Sequence, residues 1–264
     1  VNRLLTGVSV TLLAVPVLIA LVGPLLAGAF TRPPGLPYGD SGLLGTDGLG
    51  RDVFGTLLIG GRTTLGVALL AVVFAYLVGG LIGLVAASTR RRVLDEALIR
   101  PLDILLPLPS LLVISVVAVG WRGDPLAIAL VVGAVNVPTV ARLVRAAALD
   151  AASGPAVEAM RMQGESWARI QFGFIARSAL PPVLADIGTR ITLAVFIVAS
   201  ANFLGLGLNP TSPDWAVTVS RNREGLLLQP WAVLAPAAMI VAFTLGLNLL
   251  ADRLLGRRRE VVAA

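Results

Sequence analysis

The side chains able to do chemistry in this sequence are carboxylates and guanidiniums, because His, Cys and Lys are all absent from its 264 residues. That removes thiolate nucleophiles, imidazole acid–base catalysis and the usual zinc ligand sets. Without Lys there is also no phosphate-cradling G-x-x-x-x-G-K-[ST] loop. No pair of carboxylates falls within an apolar segment, as aspartyl or carboxylate–metal chemistry would require. We therefore assign no catalytic residue, no metal site and no cofactor to this chain. One stretch of alternating, balanced charge is "VEAMRMQGESWARI" at 157–170. On a helix, Glu158, Arg161, Glu165 and Arg169 share an arc of about 80°, and Val157, Met160, Gly164 and Trp167 fall on an opposing face. Arg161/Glu165 and Glu165/Arg169 are i,i+4 pairs. Such a helix is a solvated connector, an interfacial helix or a docking helix. An interfacial helix carries an excess of basic residues on its polar face, and this face is balanced. A docking helix would press its small and apolar ridge into a partner's groove.

The elements that must position this patch are set by hydropathy. Hydrophobic residues make up 56% of the chain and charged ones 14%. Six stretches lack any charge: 4–31, 63–89, 104–121, 125–141, 191–213 and 225–251. A hydrocarbon-spanning helix takes about 20 apolar residues, and lipid admits only helices or closed barrels. Barrel-type alternation is absent. The expectation is an all-α integral membrane protein, one domain over 1–264, with six transmembrane helices near 8–30, 63–88, 101–121, 125–146, 183–208 and 229–252. Ala27-Gly28-Ala29 resembles a cleavage site, but the apolar run before it is too long for a leader. It is read as a retained first span.

Arginine sets the orientation. Arg3, Arg90, Arg91, Arg92, Arg100, Arg142, Arg145, Arg161, Arg169, Arg177, Arg253, Arg257, Arg258 and Arg259 share one side. Arg32, Arg51, Arg62, Arg122, Arg221 and Arg223 lie on the other. The positive-inside rule then places both termini in the cytoplasm. It leaves an external loop at 31–58 and a cytoplasmic loop at 149–181. The net charge of +6 is a topology signal, and no nucleic-acid partner is expected.

Glu158-Ala159-Met160, followed after three residues by Gly164, resembles the cytoplasmic EAA---G loop of ABC-importer permeases, with Met160 where Ala is usual. Three further stretches resemble the permeases of dipeptide, oligopeptide and nickel importers. They are "LLGTDGLGRDVFGTLLIGGRTTL" (43–65), "IRPLDILLPLPSLL" (99–112) and "FLGLGLNPTSPDWAVTVSRNREGLLLQPWAVLAP" (203–236). In that family a Leu-Pro follows the Gly at a fairly fixed interval. Here Leu180-Pro181 comes about four residues late, close to one helical turn. The resemblance implies a type I ABC-importer permease in a bacterial cytoplasmic membrane. Its implied partners are a sister permease, two ATPase subunits that hold ATP and Mg, and an extracytoplasmic substrate-binding protein. Di- or oligopeptides are the implied substrate, with nickel as the alternative. A helix at 155–170 would dock on the ATPase through Glu158, Ala159, Met160, Arg161, Gln163, Gly164 and Trp167.

Other residues carry weaker signals. Asp47, Arg51 and Asp52 form a local cluster in a Gly/Pro-rich loop with Asx-type turns. Asp214, Trp215, Arg221 and Arg223 are read as an exposed amphipathic stretch. Either set could meet a binding protein. Asn136, Asn202, Phe203 and Asn248 are candidates for the translocation pathway, although intramembrane Asn more often bonds one helix to another. Asp186 and Arg190 are i,i+4 partners read as a self-satisfied pair near the cytoplasmic end of the fifth span. Gly79, Gly80 and Gly83 make a small-residue ridge. Pro107, Pro109 and Pro138 interrupt spans. A secondary transporter would need inverted repeats and a buried coupling carboxylate, and neither is evident.

Overall fold

A computed structural model describes residues 2–89, 92–121 and 123–263, with side-chain surroundings defined for 6–89, 93–117, 119–121, 123–251 and 253. Arg90, Arg91 and Arg122, which enter the orientation argument, lie outside the described residues. The described chain is helical almost throughout. Its elements are α1 (Asn2–Phe30), α2 (Val53–Ser88), α3 (Arg92–Asp103), α4 (Ser110–Gly120), α5 (Pro125–Ser153), α6 (Pro155–Met162), α7 (Ala176–Phe203), α8 (Trp215–Asn222) and α9 (Trp231–Ala263). A π-helical segment, Arg169–Ile175, runs directly into α7.

Among the described residues five helical stretches are long and apolar enough to cross a membrane: Thr6–Phe30, Val53–Ser88, Pro125–Ser153, Arg169–Phe203 and Trp231–Ala251. The expected single helix over 101–121 is not formed. α3 ends at Asp103, turns occupy 104–108, and α4 has 11 residues. That is about 16 Å of helix, half the hydrocarbon thickness. Pro107 and Pro109 explain the break, since neither donates a backbone hydrogen bond. Pro109 becomes the N-cap residue of α4. Pro138, by contrast, sits within an uninterrupted α5.

α2 and α5 form the centre. A Cβ at Gly79 would lie 2.7 Å from the Val137 carbonyl oxygen, and one at Gly83 would collide with that of Ala141. The small-residue ridge is thus an interhelical contact for these two positions, and Gly80 faces open space. Val67, Ala71 and Val72 of α2 pack with Ile128 and Val132 of α5 and with Val195 and Val198 of α7. α1 lies against α2 and α9. Apolar side chains also cover the outside, as at Leu25 and Val119, 83% and 85% exposed, which is what a lipid-facing surface requires.

Three helices begin on an aspartate whose carboxylate accepts from the second helical N–H. Asp52 caps α2, Asp124 caps α5 with Pro125 at the first position, and Asp214 caps α8. Residues 31–52 and 205–230 fold together as a cap over one end of the bundle. α3 and α6 lie at the other end. There Arg145 forms a two-pronged pair with Asp95, and Arg142 meets Asp103 at 2.6 Å, fastening α5 to α3.

Candidate functional site

α6 is shorter than expected. It spans eight residues and stops at Met162 rather than continuing to 170. The cause is Gly164, whose φ of +78° is in the left-handed region. Its N–H donates to the Arg161 carbonyl at 3.1 Å, and the Glu165 N–H donates to the Met160 carbonyl at 3.0 Å. This pair of bonds is the Schellman helix stop, which favours glycine for conformational reasons. A Cβ at Gly164 would have no neighbour within 4 Å inside this chain.

The stop reorients the face expected for docking. Val157 is buried against Ala87, Ala148, Ala152, Ile170 and Ile175, and Met160 packs half-buried on the same cluster. The apolar ridge therefore anchors α6 to its own chain. Glu158, Gln163, Gly164 and Trp167 are exposed, and Ala159 and Arg161 are half-buried. Met162, 80% exposed, belongs to the outward face and was not singled out by periodicity. Glu165 and Arg169 form an ion pair at 3.0 Å. Trp167 stands edge-on to Phe172, with ring centres 6.0 Å apart. Beside α6, a cleft of about 310 Å³ is bordered by Ser88, Thr89, Ser153, Gly154 and Glu158. The π-helical segment after it is held to α2 by Gln171, which donates to the Leu84 carbonyl at 2.5 Å.

Within the spans the polar candidates separate. Asn136 donates to the carbonyl of Val132 on its own helix at 2.8 Å. Asn248 accepts from Thr192 at 3.3 Å, joining α9 to α7. Phe203 lines a groove between α7, α8 and α9 and lies 5.9 Å from the Arg223 guanidinium. Asn202 is buried, donating to Asp214 at 3.1 Å and accepting from the Leu208 N–H at 2.9 Å. It holds the turn after α7 to the start of α8. Asp186 and Arg190 do pair, at 2.7 Å, and Tyr76 of α2 adds a 2.8 Å hydrogen bond to the same carboxylate. They lie just before the charge-free run 191–213, at the midpoint of a helical stretch, Arg169–Phe203, that begins well before that run.

The cap differs most from expectation. Asp214 and Trp215 are fully buried, not exposed. Asp214 accepts from Thr64, Asn202 and the backbone of Ala216 and Val217. Burial pushes its carboxyl above the ordinary range, against the pull of those donors. Trp215 lies over Gly60 and Gly61 and donates to the Leu57 carbonyl at 2.9 Å. Asp47 is buried too. One of its oxygens accepts from the N–H groups of Leu49 and Arg51, and the other meets Arg221 at 2.8 Å. Its charge partner is thus Arg221, not Arg51, which reaches the Thr211 carbonyl instead. Burial lowers the Arg221 pKa while Asp47 raises it. Asp52 is spent on capping α2 and on the Arg32 N–H. Asp47, Asp52, Asp214 and Trp215 therefore build the cap from within, and Arg223 remains on its surface.

A bundle with a tethered, outward-facing short helix at one end and a rigid cap at the other suits a membrane passage worked by partners. The family comparison agrees. Residues 79–260 match the family described as the inner membrane component of binding-protein-dependent transport systems, and the chain belongs to that family. It is a transport permease of the bacterial inner membrane. It is 35% identical over 245 residues to the dipeptide transport system permease protein DppC of Alkalihalophilus pseudofirmus, covering 90% of this chain and 80% of that one. The di/tripeptide transport system permease protein DppC of Pseudomonas aeruginosa is 32% identical over 216 residues, 80% of this chain and 70% of that one. In structure the chain resembles the MetNI methionine ABC transporter in an inward-facing conformation. The TM-score is 0.61 at 18% identity, over 76% of this chain and 95% of that one, a likeness of fold alone.

Proposed function

We propose that this permease imports di- or oligopeptides, driven by ATP hydrolysed on separate subunits. The supporting observation is the 35% identity to a dipeptide permease, sustained over 90% of the chain. In this reading the chain supplies half of the passage, and a sister permease supplies the other half. The arginine-rich end, carrying α6, is cytoplasmic, as are both termini, and the cap faces the binding protein. The exposed Glu158, Met162, Gln163, Gly164 and Trp167 meet the ATPase. Val157 and Met160 act from behind, fixing α6 to α2, α5 and α7 so that a push on α6 moves the bundle. Arg51 and Arg223 are the cap residues placed to touch the binding protein. The absence of His and Cys gives the chain poor nickel ligands of its own, which favours peptide over metal.

The test is reconstitution in liposomes with the ATPases, sister permease and binding protein. Uptake of a labelled dipeptide should require ATP inside the ATPase-bearing compartment and all partners. ATP-independent uptake, or crosslinks from cysteines placed at 158 and 163 that never reach an ATPase, would overturn it.

A further inference from the structure

The cluster of Tyr76, Asp186 and Arg190 between α2 and α7 is charged, and its polar atoms are only partly used within the chain. Tyr76 and Arg190 Nε both donate to Oδ2 of Asp186, at 2.8 and 2.7 Å. Oδ1 takes no hydrogen bond from a described residue, and Nε is the only guanidinium nitrogen the carboxylate uses. The side chains of Arg190 and Asp186 keep 13% and 17% of their surface open. A pair serving only as a staple is commonly replaceable by apolar packing without loss. An open carboxylate oxygen beside a guanidinium is better matched to a ligand with both charges. Tyr76 also lines a groove of about 580 Å³ between α2 and α7, walled by Val73, Leu77, Val183, Ile187 and Ile191. The wall is apolar, and Tyr76 links it to the charged pair.

We propose that Asp186 and Arg190 bind the two charged ends of a small zwitterionic peptide during passage, its apolar side chain lying in the α2–α7 groove. The peptide ammonium sits on Oδ1 of Asp186 and its carboxylate on the terminal nitrogens of Arg190, so the internal ion pair need not open. This assignment rests on the peptide-import reading and adds to it a permease-borne check of both peptide ends.

The test uses the assembled permease–ATPase complex without its binding protein, whose own selectivity would mask the site. Its melting temperature is followed with millimolar leucyl-phenylalanine, its C-terminal amide and its N-acetyl derivative. Wild type should be stabilised by the free dipeptide alone. Arg190→Gln and Asp186→Asn should each weaken that response about tenfold or more, the worth of a charge-assisted hydrogen bond. Tyr76→Phe, which keeps both charges, should retain the preference for free ends. If the single variants fail to assemble, the doubly neutral D186N/R190Q complex should respond to none of the three. Equal stabilisation by all three peptides, stabilisation by none, or an unchanged response in the variants would overturn the site. Liposome uptake by wild type separates the two ideas. Dipeptide uptake without selective stabilisation sinks the site alone, and no dipeptide uptake sinks the import reading as well.

Discussion

Thr64 of α2 and Asp214 at the head of α8 are joined by a 2.6 Å hydrogen bond from the hydroxyl to Oδ2, and neither side chain is exposed. The bond connects residues 150 positions apart and sets the cap on the bundle. Asp214 also closes the first turn of α8 and accepts from Asn202, so one carboxyl joins α2, α7 and α8.

Removing that acceptor should be costly. Asp214→Ala strands four donors in a dry site and should destabilise the protein by about 3 kcal/mol or more, read as a melting temperature in detergent. Asp214→Asn should cost less, since its amide oxygen keeps the cap. The carboxyl is held above its ordinary range by burial, so its neutral form is favoured in the fold. Wild-type stability relative to D214N should be full below the ordinary carboxylate pKa and fall as pH rises through the raised one. A difference independent of pH would contradict this.

Neighbouring glycines on α2 should behave in opposite ways. Gly83→Ala drives a methyl into the Ala141 carbonyl and should cost about 1–3 kcal/mol. Gly80→Ala meets open space and gains up to about 1 kcal/mol of helix propensity. Melting temperatures of the two variants, measured side by side, decide the matter.

Arg221 neutralises a fully buried Asp47. Arg221→Ala leaves that charge uncompensated, a loss of about 3–5 kcal/mol. The loop 31–52 should then become sensitive to limited proteolysis while the spans stay protected. R221A with D47N together should recover part of the resistance.

Gly164 stops α6 from the left-handed region. Gly164→Ala should cost about 1–2 kcal/mol at that turn and Gly164→Asn less. Faster amide exchange at positions 164 and 165 would report it, together with fewer peptides imported per ATP in the reconstituted complex. Unaltered coupling in G164A would show that the helix stop is not needed for transmission.

The sequence carries the long helices plainly, because a run free of charge through hydrocarbon has only one solution. It locates their ends poorly. α2 begins at Val53, ten residues before the expected 63, because helix continues past the apolar core into water, where charge no longer marks a boundary. This is why α7 and its π-helical lead extend back to Arg169, where the expected span starts at 183. The aspartates before α2, α5 and α8 are a readable start signal, although Asp52 and Asp214, read locally, look like surface charge. Their burial depends on partners remote in sequence, Thr64 for Asp214 and Arg221 for Asp47, which no local pattern reveals. The left-handed glycine after Met162 is a readable stop as well. Helical periodicity carried through it put Glu165 on a helix that had already ended.

α2 is 36 residues long, about 54 Å of uninterrupted rod, nearly twice the hydrocarbon thickness. Its upper third lies beneath Trp215, its lower third is wedged on α5, and its last turns are gripped by Gln171. Such a beam has a pivot but no joint. A tilt of 5° about its middle swings each tip by about 2 Å in opposite directions, so widening at one mouth is geometrically bound to narrowing at the other. If α2 tilts as one piece, the two mouths of the passage would open only in turn.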